Sequence, residues 1–197
     1  MDYLITLVKD PQSNGLRRAQ PLVSQQLTDL GEKAIGTFGA FYGVFGLATN
    51  EMYVVTYSED DQSMVSEMLG SELEVRSSVL LVPTTRPVTH APRDRDGLYV
   101  FRWFDVHNRD VDEIVKLSDD AWPAMEQSFD CEIQGLFAEK DRSAETGKMI
   151  LCTRYASLDV WQQSRDAPEE SSERFRRRHE LTLEATPIAT RLMRLGR

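Results

Sequence analysis

An arginine stands inside the most strand-like stretch of the chain. Leu98 to Val106 reads Leu-Tyr-Val-Phe-Arg-Trp-Phe-Asp-Val, and Arg102 is its only basic residue. A guanidinium on a buried strand needs a counter-charge, since a buried ion without its partner costs about 3–5 kcal/mol. Groups that could serve it lie on a later hairpin: Glu132 on a strand from Phe129 to Phe137, and Thr153 and Tyr155 on a strand from Lys148 to Tyr155. In a structural reading, Arg102 and Glu132 form an ion pair. In a functional reading, Arg102 holds a ligand carboxylate or enol, with Glu132 or Tyr155 beside it. The planar donor array of arginine suits that task.

Strand parity decides which of these groups meet. Cys131 and Cys152 fall on the two paired strands and are expected opposite each other, on one face with Ile133 and Ile150. Period-two alternation then puts Asp130, Glu132 and Gln134 on the other face with Met149, Leu151, Thr153, Tyr155 and Arg102, pointing away from the helices. The matching positions in the N-terminal half are Thr6, Phe41, Phe45 and Thr56. One wall of the interior is therefore expected to be apolar, with Phe41 and Phe45 as ligand contacts, and the other polar. The cysteines, in apolar strands, are expected to be buried, reduced and to act as small hydrophobes.

Other chemistry-bearing residues have plainer readings. His90 and His107 are expected to be solvated, the first in a linker and the second after a strand. Arg174, Arg176, Arg177 and Arg178 follow Glu169, Glu170 and Glu173 at helical ion-pair spacing, which reads as a solvated face rather than an anion site. Gly36, Gly39, Gly43 and Gly46 lie in a strand pattern and point to close backbone packing. No dinucleotide, Walker, zinc-protease, Cys-x-x-Cys or nucleophile-elbow motif occurs.

The positioning elements repeat. Tyr3 to Val8 is a short apolar strand like Leu98 to Val106, and in each half a helical pattern follows: Leu16 to Ile35, and Asp110 to Ser128 with Pro123 as an expected kink. Strands then follow at Thr37–Ala48 and Met52–Tyr57, a helix at Ser58–Gly70, and a strand at Leu73–Pro83. The second half continues with the hairpin already described, a short helix from Leu158, a helix over Phe175–Thr182 and a strand over Pro187–Leu195. Ala167 to Glu173 is a charged insertion or helix start. Each half thus reads β-α-β-β-α-β, the ferredoxin-like order. Tyr3 aligns with Tyr99, Gly46-Leu47 with Gly135-Leu136, and Thr56 with Thr153. The domain expectation is one repeat over 1–83, a Pro-containing linker over 84–97, and a second repeat over 98–197.

Composition bounds the function. The chain has 197 residues, 41% hydrophobic and 28% charged, a globular balance. A formal charge of −9 argues against a nucleic-acid partner, because phosphate neutralisation needs clustered cations. No run reaches the roughly 18 apolar residues of a membrane span. Two cysteines without paired spacing and no secretory pattern point to the cytoplasm.

Tandem ferredoxin-like halves resemble the dimeric α+β barrel superfamily, in which two such sheets face each other with helices outside. The second half resembles NIPSNAP-type domains through Tyr99-Val100-Phe101-Arg102-Trp103-Phe104, the acidic helix Val111-Asp112-Glu113-Ile114 leading to Ala121-Trp122-Pro123, and Thr190-Arg191-Leu192-Met193. The resemblance implies an α+β fold of two tandem units packed as a single-chain dimeric α+β barrel, and carries no catalytic signature. Some superfamily members bind haem through a helix or loop histidine. His179 is the residue this chain would offer, although no motif here matches such a member, so no cofactor is implied. The expected function is a small-molecule-binding protein or cofactor-independent enzyme of oxygenase, isomerase or lyase type, with its site between the sheets. The alternative is a non-catalytic interaction or scaffold protein with a filled interior. A small molecule and a second copy of the chain are the candidate partners.

Overall fold

A computed structural model describes residues 1–166 and 168–194. The chain forms two compact units, one of residues 1–82, 89–96 and 190–194, the other of 83–88 and 97–189. Ala167 and Leu195–Arg197, which enter the expected last helix and strand, lie outside the described residues.

In the first unit, β1 (Asp2–Lys9), α1 (Ala19–Gly31), β2 (Gly36–Phe45), β3 (Glu51–Ser58), α2 (Ser63–Gly70) and β4 (Glu74–Pro83) follow in order. The strands pair as β4-β1-β3-β2, with β1 central and antiparallel to both neighbours. β1 shows near-continuous burial rather than alternation, because both of its faces are covered. Leu4, Val8, Met52 and Val54 on one face pack against Val23, Leu27 and Leu30 of α1 and Val65 and Leu69 of α2.

The second unit repeats the order with β5 (Leu98–His107), a single 3-10 turn (Asn108–Asp110), α3 (Val111–Ser128), β6 (Cys131–Glu139), β7 (Thr146–Tyr155), α4 (Leu158–Gln163), α5 (Glu169–Glu180) and β8 (Thr182–Leu192), of which residues 190–192 belong to the first unit. Its strands are ordered β8-β5-β7-β6. α3 buries Val111, Ile114, Ser118, Ala121, Trp122 and Met125, a stripe at helical spacing, and runs on through Pro123. Asp112 and Glu113 sit in its first turn, where the helix dipole favours negative charge. Ser157 caps α4 by accepting a hydrogen bond from the Val160 N–H.

The repeat is confirmed in its order and corrected in one alignment. β2 and β6 each carry a bulge at the same place, between Thr37 and Gly39 and between Ile133 and Gly135. A Cβ on Gly39 would lie 2.7 Å from the Phe41 ring, and one on Gly135 would lie 2.4 Å from the Phe137 ring. Gly39-x-Phe41 is therefore the true match of Gly135-x-Phe137, and Gly46 lies beyond the strand. The segment between the repeats is held at both ends. Leu136 accepts from the Thr84 N–H at 2.9 Å in the second unit, and Phe38 accepts from the Arg93 N–H at 2.8 Å in the first.

Candidate active site

The register of the second hairpin overturns the expected parity. Cys131 pairs with Tyr155, Ile133 with Thr153, and Glu132 with Arg154, while Cys152 pairs with Gly135 and Phe101. The cysteines are therefore on opposite faces. Ile133, not Glu132, shares a face with Thr153, and the polar wall of Asp130, Glu132 and Gln134 does not form opposite Arg102. The bulge between Ile133 and Gly135 turns over the side chains that precede it, and β6 is apolar enough on both faces to conceal the change.

Arg102 pairs with Leu151 and so shares the face of Thr153 and Tyr155. That face is covered by the unit's own helices: Phe104, Met149 and Leu151 pack there with Ile114 and Trp122 of α3. The expectation that Arg102 points away from the helices is corrected. It faces a cavity of about 210 Å³ between this sheet and α3 and α5, together with Thr153, Tyr155, Trp122, Phe175 and Arg178. A second cavity of about 240 Å³ is lined by Arg102, Phe104, Phe175, Arg178 and His179 among others.

Arg178 is the residue that sequence reasoning misses. Charge spacing groups it with a solvated cluster, yet it is buried. α5 turns Ser171, Phe175 and Arg178 inward at i, i+4 and i+7, and the Ser171 hydroxyl donates to the Ala121 carbonyl at 3.0 Å. Arg178 donates to the Ser118 hydroxyl at 3.3 Å, and its guanidinium lies 4.8 Å from the Phe175 ring centre and 5.4 Å from that of Phe104. One signal in the sequence could have found it. Arg176 pairs with Glu173 and Glu180, and Arg177 with Glu113 and Glu180. Arg178 has Arg174, Phe175, Leu181 and Thr182 at helical spacing and no carboxylate among them.

The electrostatics are one-sided. Burial, then the neighbouring Arg102, pushes the Arg178 guanidinium down to about 10. Burial also lowers Arg102, with Arg165 adding repulsion and Tyr155 opposing it. Burial raises the Tyr155 phenol above its ordinary value, against Arg102 and the hydrogen-bonding groups of Ser164 and Thr153. Neither cavity has an Asp or Glu among its described lining residues. Trp122, which lines the first cavity, has an indole N–H without a hydrogen-bond partner. The site is rich in donors.

Of the residues singled out in the sequence, Arg102, Thr153, Tyr155 and His179 come together at the first cavity. Glu132 lines neither cavity. Phe41 and Phe45 belong to the first unit, Phe41 fully buried and Phe45 58% exposed. Cys131 and Cys152 are buried and free of disulfide. His90 is exposed, and its Nδ1 is 2.8 Å from the Tyr3 hydroxyl. No cluster of three or more His, Cys, Asp or Glu able to hold a metal occurs among the described residues, and none of their helices is long and apolar enough to cross a membrane.

No protein-family model and no curated protein matches the chain. Solved structures do. An anthrone oxidase-like protein superposes with a TM-score of 0.63 at 13% identity, covering 100% of this chain and 94% of its own. A candidate monooxygenase from Lactobacillus acidophilus gives 0.62 at 10% identity, covering 99% and 97%. A heme-binding protein from Thermus thermophilus gives 0.60 at 11% identity, covering 98% and 91%. At these identities the likeness establishes the fold: α+β, of the dimeric α+β barrel class. Haem does not fit the residues present. Neither cavity, at about 210 and 240 Å³, has room for a tetrapyrrole, while each is of a size for a single ring.

Proposed function

We propose that the protein binds an anionic small molecule in the second unit, between its sheet and helices α3 and α5, as a cofactor-independent enzyme of oxygenase, isomerase or lyase type. One observation carries the reading: Arg102 and Arg178 face a single cavity with no carboxylate among its described lining residues. Two cations brought together in a poorly solvated place destabilise the free protein, and an anion entering between them relieves that cost. The alternative of a filled interior with Arg102 paired to Glu132 lacks this support, because Glu132 lies on the other face of the sheet.

The groups present suit proton transfer at an enolisable or phenolic substrate. The guanidiniums would stabilise the oxyanion that forms when such a substrate loses a proton, and preorganised donors of this kind carry much of the acceleration in enzymes. Tyr155, its phenol held protonated by burial, would donate to the same oxygen. His179, at the exposed end of the cavity, supplies a ring nitrogen that can accept the proton. The oxygen-using proteins that share the fold favour an oxygenase among the three reaction types. Kinship with NIPSNAP-type domains, a cytoplasmic location and a homodimer belong to this proposal too. The first is supported by the strand and helix text from Tyr99 to Pro123.

The test is native mass spectrometry and absorbance of the purified protein, run beside Arg102→Met. A bound acid or phenol in the wild type that is absent from the variant supports the reading. An organic ligand retained equally by both would remove Arg102 from it.

A further inference from the structure

Arg102, Arg165, Phe175, Arg178 and His179 each line both cavities; Arg165 is exposed to solvent, which leaves Arg102 and Arg178 as the two guanidiniums withdrawn from it. Resting on the anionic-ligand reading above, we infer that the site takes a ligand with two anionic oxygen groups on an apolar, ring-sized frame, one for each guanidinium.

The charge count comes from the surroundings of the arginines. Arg178 has a neutral hydroxyl, Ser118, and two aromatic rings as its neighbours. Arg102 stands in a strand whose flanking residues on the same face, Val100 and Phe104, are apolar and buried. No ion pair to either arginine exists among the described residues, whereas their neighbours Arg176 and Arg177 on α5 are each paired to Glu180. A single carboxylate would neutralise one guanidinium and leave the other buried without a counter-charge. A dianion leaves neither. The frame follows from the apolar part of the lining: Trp122, Met125, Ile133, Leu151 and Phe175 stand beside the polar groups of Thr153, Tyr155 and Ser164, and a ring covers that apolar surface where a bare inorganic ion does not. A planar dicarboxylate, or an aromatic carboxylate that also carries an enolate or phenolate oxygen, meets both demands, and its carboxylate presents two oxygens to a guanidinium fork.

The experiment measures binding of three probes by calorimetry at neutral pH: benzene-1,4-dicarboxylate, benzoate and inorganic phosphate. Arg102→Met and Arg178→Met are run in parallel, with far-ultraviolet circular dichroism to confirm folding. The expected result is dicarboxylate binding at least about tenfold tighter than benzoate in the wild type, roughly one further charge pair. That preference should vanish in Arg102→Met, which alters a partly buried residue and suffices if Arg178→Met does not fold. Equal affinity for benzoate and dicarboxylate would overturn the two-charge inference while leaving the anionic site standing. Phosphate binding tighter than the dicarboxylate would overturn the apolar frame. No binding of any probe at millimolar concentration would overturn both the inference and the reading beneath it.

Discussion

Thr6 and Arg102 occupy the same place in the two units, three residues after the matched Tyr3 and Tyr99 on the central strand. Around Thr6 the helix side of the sheet is closed by aliphatic side chains from α1 and α2. Its polar groups are satisfied locally: Ser78 donates to the Thr6 hydroxyl at 3.3 Å, and Thr56 donates to the Gln62 side chain at 2.8 Å. Around Arg102 the same side of the sheet is covered by α3 and by α4 and α5, which replace the single short α2. α5 brings Phe175, Arg178 and His179 to the cavity. One unit packs aliphatic side chains at this place and the other has a cavity beside two guanidiniums. The first unit builds the same order of elements without such charges, which supports the ligand-binding role proposed for them.

The largest effect should come from moving the charge. Thr6→Arg puts a guanidinium into a filled core and is expected to cost about 3–5 kcal/mol in denaturant unfolding. A loss under about 1 kcal/mol would mean that the first unit has room, and the contrast would collapse. Next come the paired bulges. Gly39→Ala and Gly135→Ala each force an aromatic ring aside, and each should cost about 1–3 kcal/mol. Costs that differ widely would break the equivalence of the two glycines.

A smaller and opposite effect is expected at Arg102. Arg102→Met removes one of two repelling buried cations at similar volume. It should raise stability by about 1 kcal/mol, seen as a melting point about 2–4 °C higher without ligand. Thr6→Val, which removes no charge, should show no comparable gain. A destabilised Arg102→Met would mean that the arginine serves the fold.

The smallest effect concerns the thiols. Burial, with Glu126 and Asp130 nearby, pushes the Cys131 thiol up to about 11. At about pH 8 roughly one thousandth of it is thiolate, so labelling should be slow and should quicken as pH rises toward that value. Fast labelling at neutral pH would show that the strand opens or that the thiol is exposed.

Much of the fold was written in local patterns. The element order, the duplication and the burial of Leu98 to Val106 follow from apolar periodicity, turn residues and helix stripes, which act over a few neighbouring residues. The type of Arg102 in that strand also announced a site, since a cation in apolar text demands an account. Three things were decided only in the tertiary structure. Which face Arg102 takes depended on pairing across β5, β6 and β7, and strands covered on both sides lack the alternation that would reveal it. The bulge before Gly135 placed Ile133, rather than Gln134, across from Thr153, because one extra residue inverts the parity of everything before it. Arg178 became part of the site through the packing of α5 on α3, a contact between distant segments that turns one arginine inward and leaves its neighbours paired in solvent.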